Sequence, residues 1–286
     1  MKVLAIVASA RKTGNSEILA REMLAALPET VEKKMIRLSD FNIEPCKACY
    51  ACLPSSCDCV IQDDYDEFLQ QVRAADAVII AAPVYFLGMH TRLKLLSDRF
   101  ISVLNEAEKY AGRRCVVAVP YGVEGWQGYG VEATVSFARF LHLEVVGVMP
   151  VHAANPGEVV QTEVLKRVRE LAGLLLGEGI PENNDTMLRQ SVHESDLVCG
   201  LCGSGMLRVS VDGGSRCVLC GAIGRITASG AGSDSMLQCR WQPPEHPRFS
   251  PSGMKEHGAR LEQIKADFMT RRHELAELRK PYKSRE

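Results

Sequence analysis

The sequence predicts an α/β fold in which five parallel strands alternate with helices, followed by a small cysteine-rich module and a C-terminal helix. Continuous apolar runs rich in β-branched residues indicate strands that are buried on both faces, as in a parallel sheet. Each run is followed by a segment with the apolar period of a helix. Two C-x2-C-G pairs lie after the last of these units and indicate a separate, metal-binding module.

The elements follow one another at regular spacing. Strands are predicted over residues 2–8, 31–38, 78–82, 115–119 and 144–149. Helices are predicted from Ser16 to just before Pro28 and over 64–74, 90–105, 131–142 and 158–176. The predicted domains are 1–178 for the α/β unit, 179–252 for a linker and the cysteine module, and 253–286 for the last helix.

A polar loop, S-A-R-K-T-G-N-S over residues 9–16, joins the first strand to the first helix. Unpaired N–H groups and the positive end of the helix dipole make such a junction an anion site. The loop lacks G-x-G-x-x-G, so it favours a compact monophosphate over a dinucleotide. The alternative is an ordinary capped loop with a surface arginine.

Two further loops, 82–89 and 120–130, follow the third and fourth strands and are rich in aromatic residues and glycine. Aromatic faces stack on a flat ring system, and glycine allows close backbone approach. Ligands bind at the carboxyl edge of an open parallel sheet, where these loops meet. We therefore expect a planar ligand there, although Tyr85 and Phe86 taken alone suit a core.

Five cysteines occur within fourteen residues, at Cys46, Cys49, Cys52, Cys57 and Cys59. The C-x2-C-x2-C spacing brings successive thiolates of one loop to an iron–sulfur cluster, with either Cys57 or Cys59 as the fourth ligand. Zinc and thiols that bind nothing are the alternatives, and disulfides would need an oxidising compartment. The insertion leaves from the second strand, so we expect it on the same rim as the phosphate loop.

Composition limits the partners. The formal net charge is −1 and no apolar run reaches the length of a membrane span, so we expect no global attraction to nucleic acid and no membrane segment. A cytoplasmic location is expected. The alternative is that residues 1–10 form a short secretory signal, although a buried strand explains them better.

The C-terminal third carries a second cysteine set, Cys199, Cys202, Cys217 and Cys220. Two C-x2-C-G knuckles across a hairpin, with a strand at 206–211 and a turn at 212–214, predict a zinc ribbon. A rubredoxin-like iron site is the alternative. The segment 179–252 holds six arginines against seven acidic residues, so no nucleic acid is expected and structural or partner-docking roles are favoured.

The end of the chain combines a segment of biased composition with a helix. Residues 228–252 are rich in Gly, Ser and Pro, and Cys239 within them is expected to be a free thiol. An apolar stripe over 253–280 predicts an amphipathic helix, made by Leu261, Ile264, Phe268, Leu275 and Leu278. The stripe is expected to pack on its own domain, with self-association as the rival, and a homo-oligomer (dimer or tetramer) is expected for the whole protein.

These motifs together resemble a known family. S-A-R-K-T-G-N-S resembles the S-P-R-x-x-G-N-T phosphate loop of the NADPH-dependent FMN reductase branch of the flavodoxin-like fold, with Ala10 in place of proline. A-P-V-Y-F-L-G resembles the isoalloxazine loop of that branch. The clustered cysteines followed by C-V-I-Q-D-D resemble its iron–sulfur flavoproteins, and the likeness covers residues 1–177.

The resemblance implies a doubly wound, flavodoxin-like sheet that binds FMN and a 4Fe–4S cluster, in addition to the zinc predicted above. Cys46, Cys49, Cys52 and Cys59 would ligate the cluster, with Cys57 as the alternative fourth ligand; packing of Val60 and Ile61 beneath the loop would also favour Cys59. The FMN-binding residues are expected to be Ser9, Arg11, Thr13, Gly14, Asn15, Ser16, Pro83, Val84, Tyr85, Phe86, Leu87, Gly88, Tyr121 and Gly122.

FMN takes up electrons in pairs and a 4Fe–4S cluster passes them singly, so the resemblance implies an oxidoreductase that converts between the two. NAD(P)H or reduced ferredoxin would be the donor, and the acceptor is not identified. No side-chain acid or base is expected, because the flavin N5 accepts the hydride. The alternative function is a redox-sensing interaction protein whose zinc ribbon docks a regulated partner.

Overall fold

The structure, a computed structural model, describes residues 1–53, 58–177, 197–229 and 236–283. Its larger sheet has the order β2-β1-β3-β4-β5, with every neighbouring pair parallel. This order confirms the flavodoxin-like, doubly wound prediction. The strands are β1 (Lys2–Val7), β2 (Glu32–Arg37), β3 (Ala77–Ala81), β4 (Arg114–Tyr121) and β5 (Glu144–His152).

Helices cover both faces of this sheet. On one face, α1 (Asn15–Ala26) packs on alternate residues of β1 such as Val3 and Ala5, and α6 (Thr162–Leu174) packs on β4 and β5. On the other face lie α2 (Tyr65–Arg73), α3 (Thr91–Ser97), the short α4 (Ala107–Tyr110) and α5 (Gly130–Phe140). Because both faces are buried, the strands read as the continuous apolar runs seen in the sequence.

The continuous helix predicted over residues 90–105 is wrong. The α3 helix ends at Ser97, and a separate 3₁₀ turn follows at Phe100–Val103. The carbonyl oxygen of Arg99 accepts hydrogen bonds from the hydroxyls of Tyr65 (2.9 Å) and Ser102 (3.0 Å), which draws the chain out of a regular helix. The apolar period continues across the break, so the sequence alone gave no sign of it.

The cysteine module contains a four-stranded antiparallel sheet in the order β6-β7-β8-β9. Its strands are β6 (Leu207–Val209), β7 (Gly214–Cys217), β8 (Ile223–Ser229) and β9 (Met236–Gln242). The predicted strand near 206–211 and the following turn are present. The strand β9 was not predicted; it lies within the segment 228–252 and gains its hydrogen-bond partners only by pairing with β8.

The C-terminal helix α7 (Pro251–Lys283) packs on the α/β unit through its first turns. Met254 and Leu261 are buried against Leu53 and Leu104. Further along, Ile264 and Phe268 are 55% and 44% exposed, so the expectation that the stripe packs on its own domain holds only up to Leu261. No helix in the described part of the chain has the length and hydropathy to cross a membrane.

Candidate functional site

The predicted phosphate loop lies between the carboxyl end of β1 and the first turn of α1. Gly14 occupies the N-cap position and offers no side-chain cap, so the first-turn N–H groups have no acceptor from the helix itself. Ser9 is buried and its Oγ accepts the N–H of Arg11 at 3.2 Å, while the Arg11 side chain is exposed. The loop thus combines helix N–H groups, hydroxyls and a free cation, which suits a phosphate.

Asn15 has a different environment from the one that phosphate binding alone would suggest. Its Nδ2 donates to the carbonyl oxygens of Ala153 (3.2 Å) and Asn155 (2.9 Å), and its Oδ1 accepts the N–H of Gly157 at 2.8 Å. The amide therefore fastens the start of α1 to the loop after β5. Because the side-chain amide of Asn15 is already hydrogen-bonded, we expect Asn15 to contribute its backbone N–H to an anion site.

Glu17 is a structural support of this loop that sequence reasoning missed. Its side chain is 1% exposed and pairs with Arg37 (2.6 Å) and Arg21 (2.7 Å). It also accepts the N–H of Thr13 at 3.0 Å, which holds Thr13 at a φ of 53°. The hydrogen bond from Arg37 is the main cause that lowers the pKa of Glu17 to about 2, against the opposing effect of burial. Only the tertiary contact with Arg37 on β2 reveals this role.

Glu17 gives a prediction for stability against pH. The carboxyl pKa is about 2 in the folded chain against 4.5 unfolded, so its stabilisation is complete above pH 4.5 and is lost as the pH falls towards 2. The shift corresponds to roughly 3 kcal/mol. We expect Glu17→Gln to lower the unfolding free energy at pH 7 by about that amount and to flatten its pH dependence below 4.5 in urea titrations. The same substitution at the exposed Glu29 should change neither, and equal pH profiles for both variants would contradict the assignment.

The loop after β3 forms a tight two-residue turn. Tyr85 and Gly88 exchange backbone hydrogen bonds of 3.1 and 3.0 Å, and the two residues between them, Phe86 and Leu87, have φ values of 46° and 66°. Two adjacent non-glycine residues with positive φ are energetically costly and are typical of functional loops. The Phe86 side chain is fully exposed, at the mouth of the cavity described below.

The loop after β4 holds this turn in place. The N–H of Tyr129 donates to the carbonyl oxygen of Leu87 at 2.8 Å. Gly128 has a φ of +52°, and a Cβ there would lie 2.3 Å from the same oxygen, so only glycine permits this approach. The two loops are therefore held together and form one side of the cavity described below. Trp126 on the second loop is 66% exposed.

These loops enclose a cavity of about 530 Å³. Every predicted FMN residue except Thr13 and Gly88 lines it. Thr13 and Gly88 instead make hydrogen bonds within the loops, to Glu17 and Tyr85 respectively. The lining also contains residues that were not predicted to bind the ligand: Pro120, Val123, Trp126, Ala153 and Ala154. Pro120, Val123 and Trp126 belong to the loop 120–130, whose aromatic and glycine composition had already indicated a ligand site. Ala153 and Ala154 line the cavity because β5 continues beyond residue 149, where its end was predicted.

The first cysteine set lies on a separate loop. Ala48 and Tyr50 have positive φ values, and the Ala48 N–H contacts Cys46 Sγ at 3.4 Å, so the backbone curls around the thiols. Burial is the first cause that raises the pKa of Cys52, and the neighbouring Cys59, Cys46 and Cys49 add to it. Cys46, Cys49 and Cys59 are thus close enough to Cys52 to affect it electrostatically. Cys57 lies outside the described residues.

Two expectations about this loop are wrong. Val60 is 58% exposed, so it does not pack beneath the loop; Cys59 itself packs against the main core. The loop also does not share the rim of the cavity. Leu53 packs near Phe140, the last residue of α5, whereas the first residue of α5, Gly130, lies beside the cavity loops. Leu53 of the insertion packs on the helices of that face of the sheet, because Leu104 and the residues Met254 and Leu261 of α7 provide an apolar surface there.

The second cysteine set is compact. The Sγ atoms of Cys199, Cys202, Cys217 and Cys220 all lie within 4.8 Å of one another and are buried. Backbone bonds from Gly203 to Cys199 (2.8 Å) and from Gly221 to Cys217 (3.2 Å) close the two knuckles, with both glycines at positive φ. Four thiols at this separation fit a single tetrahedral ion. The predicted free thiol Cys239 is outside this set and lies 3.0 Å from Ser215 Oγ.

Comparison with known proteins places these features in context. The sequence profile of the family described as NADPH-dependent FMN reductase matches residues 1–155. An iron-sulfur flavoprotein of Archaeoglobus fulgidus is 30% identical over 205 residues, which cover 69% of this chain and 86% of the relative. One of Methanosarcina thermophila is 37% identical over 145 residues, covering 50% of this chain and 74% of the relative.

Two further similar proteins cover very different shares of this chain. An iron-sulfur flavoprotein of Methanocaldococcus jannaschii is 42% identical over 100 residues, so the match spans 35% of this chain and 51% of that relative. A solved structure titled flavone reductase aligns with a TM-score of 0.70 over 100% of this chain and 98% of its own, at 20% identity. That alignment includes the cysteine module and α7, so it supports the fold of the whole chain.

Proposed function

This chain belongs to the NADPH-dependent FMN reductase family, among its iron–sulfur flavoproteins, and on that premise we propose that it passes electrons from NAD(P)H to a one-electron acceptor through FMN and a 4Fe–4S cluster. The chain is an oxidoreductase, and FMN is the cofactor of its family. The nicotinamide donor agrees with the family. The single observation that carries the proposal is a cavity of about 530 Å³, lined by the residues predicted to bind FMN, in the same chain as a loop that carries Cys46, Cys49, Cys52 and Cys59.

The cavity residues fit FMN in a definite orientation. The first turn of α1 and Arg11 would hold the phosphate at the β1 end, since that end gathers the N–H groups and the cation. The strained turn at Phe86 and Leu87 would contact the ring system, because both residues line the cavity and the turn is held by backbone hydrogen bonds. When bound, FMN supplies hydride acceptance and release of single electrons. The chain's own contribution is orientation and exclusion of water by Tyr85, Tyr121 and Trp126.

The cysteine loop fits a cluster better than a single ion. A cuboidal cluster is wider than one metal ion, so its thiolates stand further apart than those around zinc. Among described residues, the first set is not found as a group within 4.8 Å, whereas the second set is. We therefore assign the 4Fe–4S cluster to Cys46, Cys49, Cys52 and Cys59, and one zinc ion to the second set.

A test of the phosphate assignment follows from Arg11. We expect Arg11→Ala to weaken FMN binding roughly 10- to 100-fold, because a charge-assisted hydrogen bond contributes about 1.5–3 kcal/mol. The measurement is a fluorescence titration of the flavin-free chain with FMN. Lys12→Ala is the matched control, since Lys12 is also exposed but does not line the cavity. Unchanged affinity in Arg11→Ala would contradict the assignment.

Turnover separates an enzyme from a sensor. Under anaerobic conditions, NADH or NADPH is mixed with the reconstituted chain and an artificial one-electron acceptor, and nicotinamide oxidation is followed at 340 nm. We expect steady turnover of many equivalents per flavin. Reduction that stops after one equivalent would instead favour the redox-sensing interaction protein.

We also propose that the chain is a homo-oligomer. Phe86, Leu87 and Trp126 form an exposed apolar group at the mouth of the cavity, and exposed patches of this kind mark interaction sites. Contact with a second copy would shield the flavin ring from water. Light scattering of the purified protein would give a monomer mass if this is wrong.

A further inference from the structure

Arg99 is a buried cation that neither the flavin cavity nor the zinc site uses. It lies between α3 and the 3₁₀ turn, and its side chain is 1% exposed. Burial of an arginine is costly unless every N–H finds a partner and the charge is balanced. Its surroundings therefore indicate which groups it serves.

One edge of the guanidinium joins the two ends of the cysteine loop. Nη1 forms a short ion pair with the buried Asp63 and also contacts the carbonyl oxygen of Glu44 at 3.4 Å. Asp63 in turn accepts the N–H groups of Glu44 (2.7 Å) and Tyr65 (3.2 Å). Glu44 precedes Cys46 by two residues and Asp63 follows Cys59 by four, so this pair closes the base of the loop.

The flat face of the guanidinium is also fixed. Its central carbon lies 4.1 Å from the centre of the Tyr65 ring, a cation–π contact. The Tyr65 hydroxyl donates to the backbone carbonyl of Arg99 itself at 2.9 Å. The arginine is thus held in one orientation by the start of α2.

The other edge, formed by Nε and Nη2, is buried and has no hydrogen-bond partner among the described residues. These two N–H groups form the planar fork that binds an anion with two acceptor atoms. Burial lowers the pKa of Arg99, but Asp63 and then Cys59 outweigh it, so the pKa is raised overall. Cys59, the thiol that we assign as the fourth ligand, is half-buried against the same core as Tyr65, on whose ring the guanidinium packs.

We propose that the Nε/Nη2 edge of Arg99 donates hydrogen bonds to Cys59 Sγ and to a sulfide of the cluster that Cys59 ligates, and that these bonds raise the reduction potential of the cluster. This inference rests on the proposed function. The physical reason is that a cation with two N–H donors stabilises the more negative, reduced form more than the oxidised form. Arg99 is a positioning residue, since it acts on the metal through sulfur.

The test is a redox titration of the reconstituted full-length chain, monitored by electron paramagnetic resonance. Arg99→Lys keeps the charge and a partner for Asp63 but removes the fork. We expect its cluster midpoint to be more negative by the equivalent of a tenfold change in the equilibrium constant, about 59 mV for a one-electron couple. Arg73→Lys is the matched control, because Arg73 pairs with Glu106 and has no cysteine among the groups that shift its pKa. Its midpoint should equal that of the wild type.

A second measurement uses only the wild-type protein, so it does not depend on whether a variant can assemble the cluster. Wild-type protein labelled with ¹⁵N-arginine is reduced and examined by pulsed paramagnetic resonance, where a nitrogen coupling to the cluster spin is expected. Absence of this coupling, or an unchanged midpoint in Arg99→Lys with full iron content, would overturn the role of Arg99 and leave the proposed function intact. A wild-type chain that takes up no iron and sulfide would refute both.

Discussion

Replacing Cys59 with serine is expected to remove the iron–sulfur cluster almost completely, whereas replacing Cys57 is expected to preserve it. Cys59 packs against the main core, so its position is defined before any metal binds. A serine oxygen is a poor substitute for thiolate sulfur as a ligand of iron in a cluster. Iron and sulfide analysis after anaerobic reconstitution, with the paramagnetic resonance signal of the reduced protein, measures the result.

The Cys57→Ser variant serves as the matched control, because it makes the same change two residues earlier in the same loop. It should retain close to the wild-type four iron atoms per chain expected for this cluster type. The reverse order of the two variants would show that Cys57 is the fourth ligand. That outcome would also remove the basis for the Arg99 hydrogen bond.

Removal of the zinc ion that we propose for Cys199, Cys202, Cys217 and Cys220 is expected to unfold the cysteine module while the α/β unit stays folded. The buried core of this module consists of the four cysteines and Ala222, so the metal and its ligands are the core. Structural zinc sites contribute roughly 10–16 kcal/mol of apparent binding free energy, more than so small a module can replace. We expect Cys217→Ser to abolish zinc retention and to make residues 197–242 sensitive to protease, as measured by metal analysis and limited proteolysis.

Cys239→Ser is the control for this experiment. Cys239 is a cysteine of the same module, on β9, but it does not belong to the four-thiol group. Its replacement should leave zinc content and protease resistance unchanged. A Cys217→Ser chain that loses its zinc but keeps its protease resistance would show that the sheet is stable without metal. Iron in place of zinc in the wild type would change the identity of the ion but not the expected unfolding.

The sequence was most informative where the pattern is local. The runs at β1 and β3 predicted their own burial, because a strand covered on both faces must be apolar throughout. The spacing of Cys199 and Cys202 likewise predicted a knuckle, since a C-x2-C pair can bring two thiolates to one ion within a single turn. Boundaries were less well predicted. The break at Arg99 depends on Tyr65 from another helix, which no local pattern reveals.

The sequence by itself determined the fold class, the loops that surround the cavity and the four cysteines that converge in the second module. The tertiary structure alone decided how these parts are held: Glu17 under the phosphate loop, Asn15 fastened to the β5 loop, and the cysteine loop seated beside α7. The physical reason is the range of the interactions. Periodicity and ligand spacing are set by neighbours along the chain, whereas a buried ion pair such as Arg99 with Asp63 joins residues that only the folded chain brings together.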